Sequence, residues 1–191
     1  MFYNTKENRI VDHFYLSDAY GIEPTSEDYL ALYSFNGEIV IYNTKEKKMK
    51  TSKNIQNSFD SHIEKDNMGN ISNPPYLNKV IYYKERNEII CGLMNGLLLA
   101  YSASNLNKKR LKTIHNCSIN DIKNCNFDVK EHKELLSYGK DKCLKLINTN
   151  TFEIDYYFDM SNIIDYDTSK DGNIFYIDNN KKCLFNMKFM N

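Results

Sequence analysis

Four stretches of this chain lie over one another without a gap: YLALYSFNGEIVIYN (29–43), EIICGLMNGLLLAYS (88–102), ELLSYGKDKCLKLIN (134–148) and NIFYIDNNKKCLFNM (173–187). Each has an apolar half, a central turn and a second apolar half, with Asn36, Asn95, Asp141 or Asn180 at the turn. The next residue is Gly twice and Lys twice. A tight hairpin requires positive φ there, which Gly adopts without steric cost and Lys adopts less well. Apolar and polar residues alternate through the chain, β-branched and aromatic types are abundant, and no long stretch keeps a helical period. Each unit therefore reads as a hairpin of two strands, to be buried against its neighbours as successive small antiparallel sheets.

Further strands frame each hairpin. DAYGIE and the turn PTSED precede the first, and NIIDYD and the turn TSKDG precede the last. This makes four strands per unit, called a, b, c and d in chain order. Matching positions near the end of strand c are Tyr3, Tyr42, Tyr101, Ile147 and Asn186, spaced by 39, 59, 46 and 39 residues. Those intervals bracket the ~40–45 residues of a propeller blade. The expected architecture is all-β, a β-propeller segment of about four four-stranded antiparallel blades in an incomplete ring. In that reading residues 1–16 end a preceding blade, and 18–51, 76–115 and 116–158 are complete blades. Residues 159–191 form a blade lacking its last strand. The polar, turn-rich segment 52–75 is a surface insertion loop. FYNTKE (2–7) nearly repeats IYNTKE (41–46), so the chain is expected to begin inside a strand c, with further blades encoded upstream or supplied by another chain.

DTSKDGNIFYID (167–178) admits a second reading. Asp167, Ser169 and Asp171 place oxygens at alternate positions, Gly172 allows a sharp turn, and Asp178 closes twelve residues, close to an EF-hand calcium loop. The repeat argues against it. The same position holds Pro-Thr-Ser-Glu-Asp in the first unit, and the flanking FEIDYYF is strand-like where a helix is required. A hairpin turn is the expectation.

At this point the chain resembles the WD-repeat β-propeller family. The resemblance is best carried by residues 115–148. HNCSINDI looks like the family's Gly-His entry to strand a, with Ile114 in place of Gly. LLSYGKDKCLKLIN looks like strand b, turn and strand c, with Ile147-Asn148 in place of Trp-Asp. The resemblance implies a structural hydrogen-bonded network of His115, Ser137 and Asp141, shortened because Ile147 cannot donate. Tyr42-Asn43 and Tyr101-Ser102 stand at the other Trp-Asp positions, where Tyr keeps an aromatic body and a polar tip. The rhythm also suits a propeller of another repeat type.

The chemistry-bearing residues each have a structural alternative. His115, Cys117, Cys125 and His132 are zinc-ligand types, but their spacing fits no usual finger and an extended strand a separates them. His115, Ser137 and Asp141 resemble a nucleophilic triad without oxyanion donors. Cys91 and Cys143 read as small core fillers, and five scattered cysteines without CxxC read as reduced thiols. The Lys-rich runs KEKKMK (45–50) and KKRLK (108–112) are placed at the c–d junction. They read as solubilising edge protection in preference to a docking stripe for RNA or an acidic partner. Lys plus Arg and Asp plus Glu each number 25, so no net field draws the chain to nucleic acid.

No apolar window has signal-peptide or membrane-span length, so an intracellular, cytoplasmic or nuclear protein without membrane association is expected. The functional expectation is a non-catalytic scaffold presenting propeller loops to other proteins, with no cofactor, metal or small-molecule substrate. Candidate contacts are Asn36, Asn95, Asn116 and Lys140. An RNA- or acidic-partner-binding module is the rival, followed by an enzyme with a pocket near the axis. Such an enzyme would require convergent ionisable groups, where strands a offer mainly apolar residues plus Asp121 and Asp165.

Overall fold

The computed structural model describes residues 2–4, 9–12, 16–55, 76–129, 132–169, 173–181 and 183–188. Strands β1 (Phe2–Asn4) and β2 (Arg9–Asp12) pair antiparallel. Blade 1 is β3 (Ala19–Ser26), β4 (Tyr29–Ser34), β5 (Glu38–Asn43) and β6 (Lys48–Asn54), hydrogen-bonded in chain order. Blade 2 is β7 (Leu77–Tyr83), β8 (Glu88–Leu93), β9 (Leu97–Ser102) and β10 (Lys108–Thr113). Blade 3 is β11 (Ile119–Val129), β12 (His132–Gly139), β13 (Cys143–Asn148) and β14 (Ile154–Asp159). Blade 4 has three described strands, β15 (Ile163–Thr168), β16 (Asn173–Asp178) and β17 (Cys183–Lys188).

Three hairpins are symmetric about one residue. Tyr33 faces Ile39 across Asn36, Glu88 faces Ser102 across Asn95, and Tyr138 faces Leu144 across Asp141. Positive φ falls on the following residue, 84° at Gly37, 82° at Gly96 and 61° at Lys142. The fourth hairpin departs from the gap-free alignment. Asp178 faces Cys183 and Phe175 faces Asn186, so its centre lies between Asn180 and Lys181. Asn180 is therefore not equivalent to Asn36, Asn95 and Asp141, because a loop one residue longer slips strand c by half a side-chain period. β6 also continues to Asn54, so residues 52–54, assigned from sequence to the insertion, belong to strand d of blade 1.

The stretch 167–178 lies in a hairpin. β15 and β16 pair from Ile163 opposite Asp178 to Thr168 opposite Ile174, so a strand leads into the stretch and another, β17, follows it where an EF-hand requires helices, and β16 occupies its second half. Asp171 and Gly172 lie outside the described residues.

Three core clusters each sit between two successive blades. Ala31, Tyr33, Ile39 and Ile41 of blade 1 pack on Val80, Ile89, Cys91, Leu99 and Tyr101 of blade 2. The alternate residues of blade 2, Ile81, Tyr83, Ile90, Leu98 and Ala100, pack on Ile122, Leu135 and Ile147 of blade 3. Leu136, Leu144 and Leu146 in turn meet Tyr166 and Ile174 of blade 4. Alternation here sorts side chains between two neighbours, so β8 and β9 are buried along their whole length.

The inner edges of the strands a have no further strand to pair with, and side chains of adjacent blades serve them. Glu23 accepts the Tyr82 N–H at 2.9 Å, Asn78 donates to the Ile119 carbonyl at 2.7 Å, and Asn124 to the Tyr82 carbonyl at 2.9 Å. Lys123 donates to the Tyr166 carbonyl at 2.6 Å. Blades are thus bolted together at their inner edge by polar contacts and over their faces by apolar ones. Among the described residues the sheets do not close a ring, and no described helix is long and apolar enough to cross a membrane.

Truncating Ile90, fully buried between blades 2 and 3, is expected to destabilise the fold by about 2–5 kcal/mol. Ile22→Ala, at an exposed position, should stay within about 0.5 kcal/mol. Urea unfolding of the two variants checks the difference.

Candidate functional site

One end of the blades is built from two kinds of segment, the b–c turns and the stretches joining strand d to the next strand a. They are stapled by one repeated bond. The carbonyls of Gly37, Gly96 and Lys142 accept the N–H of Ile55, Ile114 and Met160 at 2.8, 2.9 and 2.8 Å. The positive φ at all three residues gives their carbonyls one common direction, and the chain leaving strand d meets each in turn. A Cβ on Gly96 would run into the His115 carbonyl, so Gly serves there for space as well as for φ.

The candidate contact residues all lie in these segments. Asn36 is exposed, and its side-chain amide donates to Asp18 at 2.6 Å. Asn95 is half-buried and accepts the Leu97 N–H at 3.3 Å. Asn116 and Lys140 are exposed, and the Lys140 N–H reaches the Ser118 carbonyl at 2.8 Å.

Beneath this face the structure brings His115, Ser137 and Asp141 together. His115 Nδ1 is 2.9 Å from both Asp141 oxygens, and Nε2 is 3.1 Å from Ser137 Oγ. An ionised carboxylate only accepts, which places the proton on Nδ1 and leaves Nε2 to accept from the Ser137 hydroxyl. Lys145 joins them. Its Nζ donates to the Ile114 carbonyl at 2.7 Å and lies 3.4 Å from Asp141 Oδ2. Asp141 also accepts the Cys143 N–H at 3.2 Å. Gly139 is required at this point, since a Cβ would stand 2.6 Å from Asp141 Oδ1 and against the imidazole.

Burial holds the His115 pKa below its ordinary value, outweighing the pull of Asp141, so the ring is neutral at pH 7. Burial alone would raise Asp141. The hydrogen bonds from His115 and the Cys143 N–H, with the Lys145 charge, take it below the usual carboxylate value. Both His115 and Ser137 are 0% exposed, so the hydroxyl is sealed from any substrate.

The opposite end uses the Trp-Asp positions. Asn43 Oδ1 accepts the N–H groups of Lys45 and Glu46, and Asn148 Oδ1 those of Asn150 and Thr151. Ser102 Oγ accepts that of Ser104. Here the second residue of the motif shapes the c–d turn by accepting backbone N–H groups, a role that Asn and Ser fill as Asp would.

The zinc-type residues are dispersed in role. His115 is committed to Ser137 and Asp141, Cys125 packs with Leu136 and Leu144, and the His132 side chain lies outside the described residues. Among the described residues no cluster of three ligand types occurs. Burial pushes the thiols of Cys91 and Cys125 up. On the inner strands Asp121 pairs with Lys79 at 3.2 Å, and Asp165 is exposed.

The Lys-rich runs need one correction. Lys108–Lys112 lies wholly within strand d rather than at the c–d junction, and Arg110 is not solvated. Its guanidinium forks onto Glu88, with 15% and 5% side-chain exposure, and lies 4.8 Å from the Phe152 ring centroid of blade 3. Sequence reading missed Glu88 and Lys145. An acid at the start of an apolar strand and a Lys inside CLKLI were the available signals, but each names no partner.

No protein-family model matches the sequence, and no curated protein sequence matches it. Solved structures do. A chain from the crystal structure of the mitotic checkpoint complex superposes with TM-score 0.73 at 13% identity, over 98% of this chain and 55% of that one. The C-terminal WD40 domain of Sif2 gives 0.64 at 16%, over 94% and 49%. The WD40 β-propeller domain of Doa1 gives 0.62 at 13%, over 88% and 49%. The fold is that of a WD40 β-propeller. The chain spans about half the length of these structures, as four WD40-type blades of which three have all four strands described.

Two outcomes follow, one for blade 3 and one for blade 2. As pH falls below the ordinary imidazole value of 6.5, the unfolded chain takes up a proton that folded His115 resists, so stability should fall. Further loss follows below the ordinary carboxylate value of 3.8, since the contribution of Asp141 is complete above it and disappears as pH drops through the lower folded value. In His115→Gln the first step should be flattened in melting temperature measured from pH 8 to 3. Separately, Arg110→Met leaves the buried Glu88 carboxylate only the longer contact with Arg86, at 3.4 Å, and should cost about 1.5–3 kcal/mol. Lys109→Met, at an exposed position, should stay within about 0.5 kcal/mol in the same denaturant titration.

Proposed function

We propose that the chain is a non-catalytic interaction scaffold that presents its b–c turns and d–a segments to a partner protein within a complex. One observation carries this reading. The same backbone staple, at Gly37, Gly96 and Lys142, holds the loop face in three consecutive blades. Loops already held in place lose little entropy when a partner binds. Asn36, Asn95, Asn116 and Lys140 are the proposed contacts, and His115, Ser137 and Asp141 form a structural network that fixes the turn beneath them. The likeness to WD40 domains, one neighbour coming from the mitotic checkpoint complex, supports a binding role.

A second reading rests on blade 1, where Lys45, Lys47, Lys48 and Lys50 are all exposed. They suit RNA or an acidic partner. Salt-dependent retention on immobilised RNA, lost when these four lysines are changed to Gln, would favour that reading.

The test compares two variants in quantitative affinity purification. One carries Ala at Asn36, Asn95, Asn116 and Lys140, and the other carries Ala at Glu46, Asn105 and Asn150 on the opposite end. The expected result is a roughly fivefold or greater loss of co-purifying protein for the first alone, with both variants melting like the parent. Equal recovery by the two variants would overturn the proposal.

A further inference from the structure

Blades 2 and 3 each turn one face to the blade before and the other to the blade after. Equivalent residues of all four blades can therefore be compared on each side. On strand a, Ile22, Val80, Ile122 and Tyr166 stand opposite equivalent strand-b residues, Leu32, Cys91, Ser137 and Tyr176. Three of them pack on the preceding blade: Val80 on blade 1, Ile122 on blade 2 and Tyr166 on blade 3. These three are 1%, 0% and 4% exposed, whereas Ile22 is 59% exposed. Leu32, Val40 and Tyr42, on the same side of blade 1, are already buried. The inner strand is what lacks a neighbour there.

The far face of blade 4 is open in the complementary sense. Ile39, Leu98, Leu144 and Leu184 are each the second residue of a strand c, opposite Tyr33, Gly92, Tyr138 and Ile177. The first three are 0% exposed, and Leu184 is 68% exposed. Ile177 is 40% exposed, and with Leu184, Phe175, Asp165 and Asp167 it lines a groove. Inside the molecule the inner-strand residue of the next blade fills the corresponding place. Ile122 presses on Gly92, where a Cβ would stand 2.7 Å from it, and the Tyr166 ring lies 5.9 Å from that of Tyr138. The groove of blade 4 is thus a seat for a residue equivalent to Ile122, and Ile22 is such a residue without a seat.

We propose that two copies of this chain close one ring, the Ile22 end of each seating on the open face of blade 4 of the other. The contact is head to tail, and two half-rings use it twice. Three observations choose a second copy as the occupant. The two ends are complementary at equivalent positions of one repeat, so the contact continues the interfaces already present between successive blades. The chain spans about half the length of the WD40 structures it matches, so two copies supply one ring. Basic and acidic residues balance, so no net charge opposes the pairing of copies. Glu23 and Asp167 occupy equivalent inner-strand positions and approach one another in this pairing. Each already has a lysine near it, Lys79 and Lys123, which offsets their repulsion. The surface is separate from the loop face, so its failure leaves the scaffold reading standing.

The test is sedimentation of the whole chain over a range of concentrations. A dimer is expected at micromolar concentration, with no larger species. Ile22→Glu and Leu184→Glu each place a charge at an exposed position and should weaken the dimer roughly tenfold or more without lowering the melting temperature. Tyr157→Glu, at a 71% exposed position away from both ends, should dimerise like the parent. A mixture of Ile22→Cys and Ile177→Cys copies should form a disulfide between positions 22 and 177 under mild oxidation, identified by mass spectrometry. Neither variant alone should link its new cysteine to that of a second copy. A monomer at every concentration, a dimer that neither Glu variant weakens, links joining like positions, or growth into open chains beyond two copies would each overturn the proposal.

Discussion

A four-stranded sheet of this size has two apolar faces and no means of covering either. Every other feature of the molecule follows from the need to cover both. Ile89, Cys91 and Leu99 go to one neighbour of blade 2, and Ile90, Leu98 and Ala100 to the other. Interdigitation at that density fixes the angle between blades, because removing one methyl group or adding one is felt by the facing sheet. Gly92 shows how little space remains, since a Cβ there would stand 2.7 Å from both Ile119 and Ile122.

Polar groups then handle what apolar packing cannot. The inner strand of each blade has an unpaired edge, and Glu23, Asn78, Lys123 and Asn124 satisfy backbone groups of the adjoining blade there. The outer strands are managed differently, by a bulge at the same place in three blades and by Lys in two of them. At the ends of the blades, the positive-φ residues and the Asn43, Ser102 and Asn148 side chains close the two sets of turns. The His115, Ser137, Asp141 and Lys145 chain belongs to this economy, as a buried network that ties a d–a segment to the turn below it. All of its members are hydrogen-bonded, which is the condition for a buried polar group to be tolerated.

Much of this was legible in the letters because it is local. Hairpin centres at Asn36, Asn95 and Asp141 follow from turn chemistry, and strand order follows from repetition. The fourth hairpin shows where such reading fails. NIFYIDNNKKCLFNM aligns without a gap, yet its pairing is centred one half-step away, because its turn takes one residue more than the other three and the strand after it shifts accordingly. The Lys-rich run at 108–112 shows the same limit. Lys109 and Arg110 are adjacent basic residues with opposite fates, and only the buried Glu88, 22 residues earlier, separates them.

The sequence by itself determined the unit, namely four strands with a tight turn in the middle and enough copies that stacking is the only way to bury their faces. It also contained the His115, Ser137 and Asp141 set, since all three are short-range markers within a single repeat. Tertiary structure alone decided which neighbour each apolar residue meets and which charge is buried. Those outcomes depend on contacts between residues far apart in the chain, and a period of two records only that a side chain points to one face or the other.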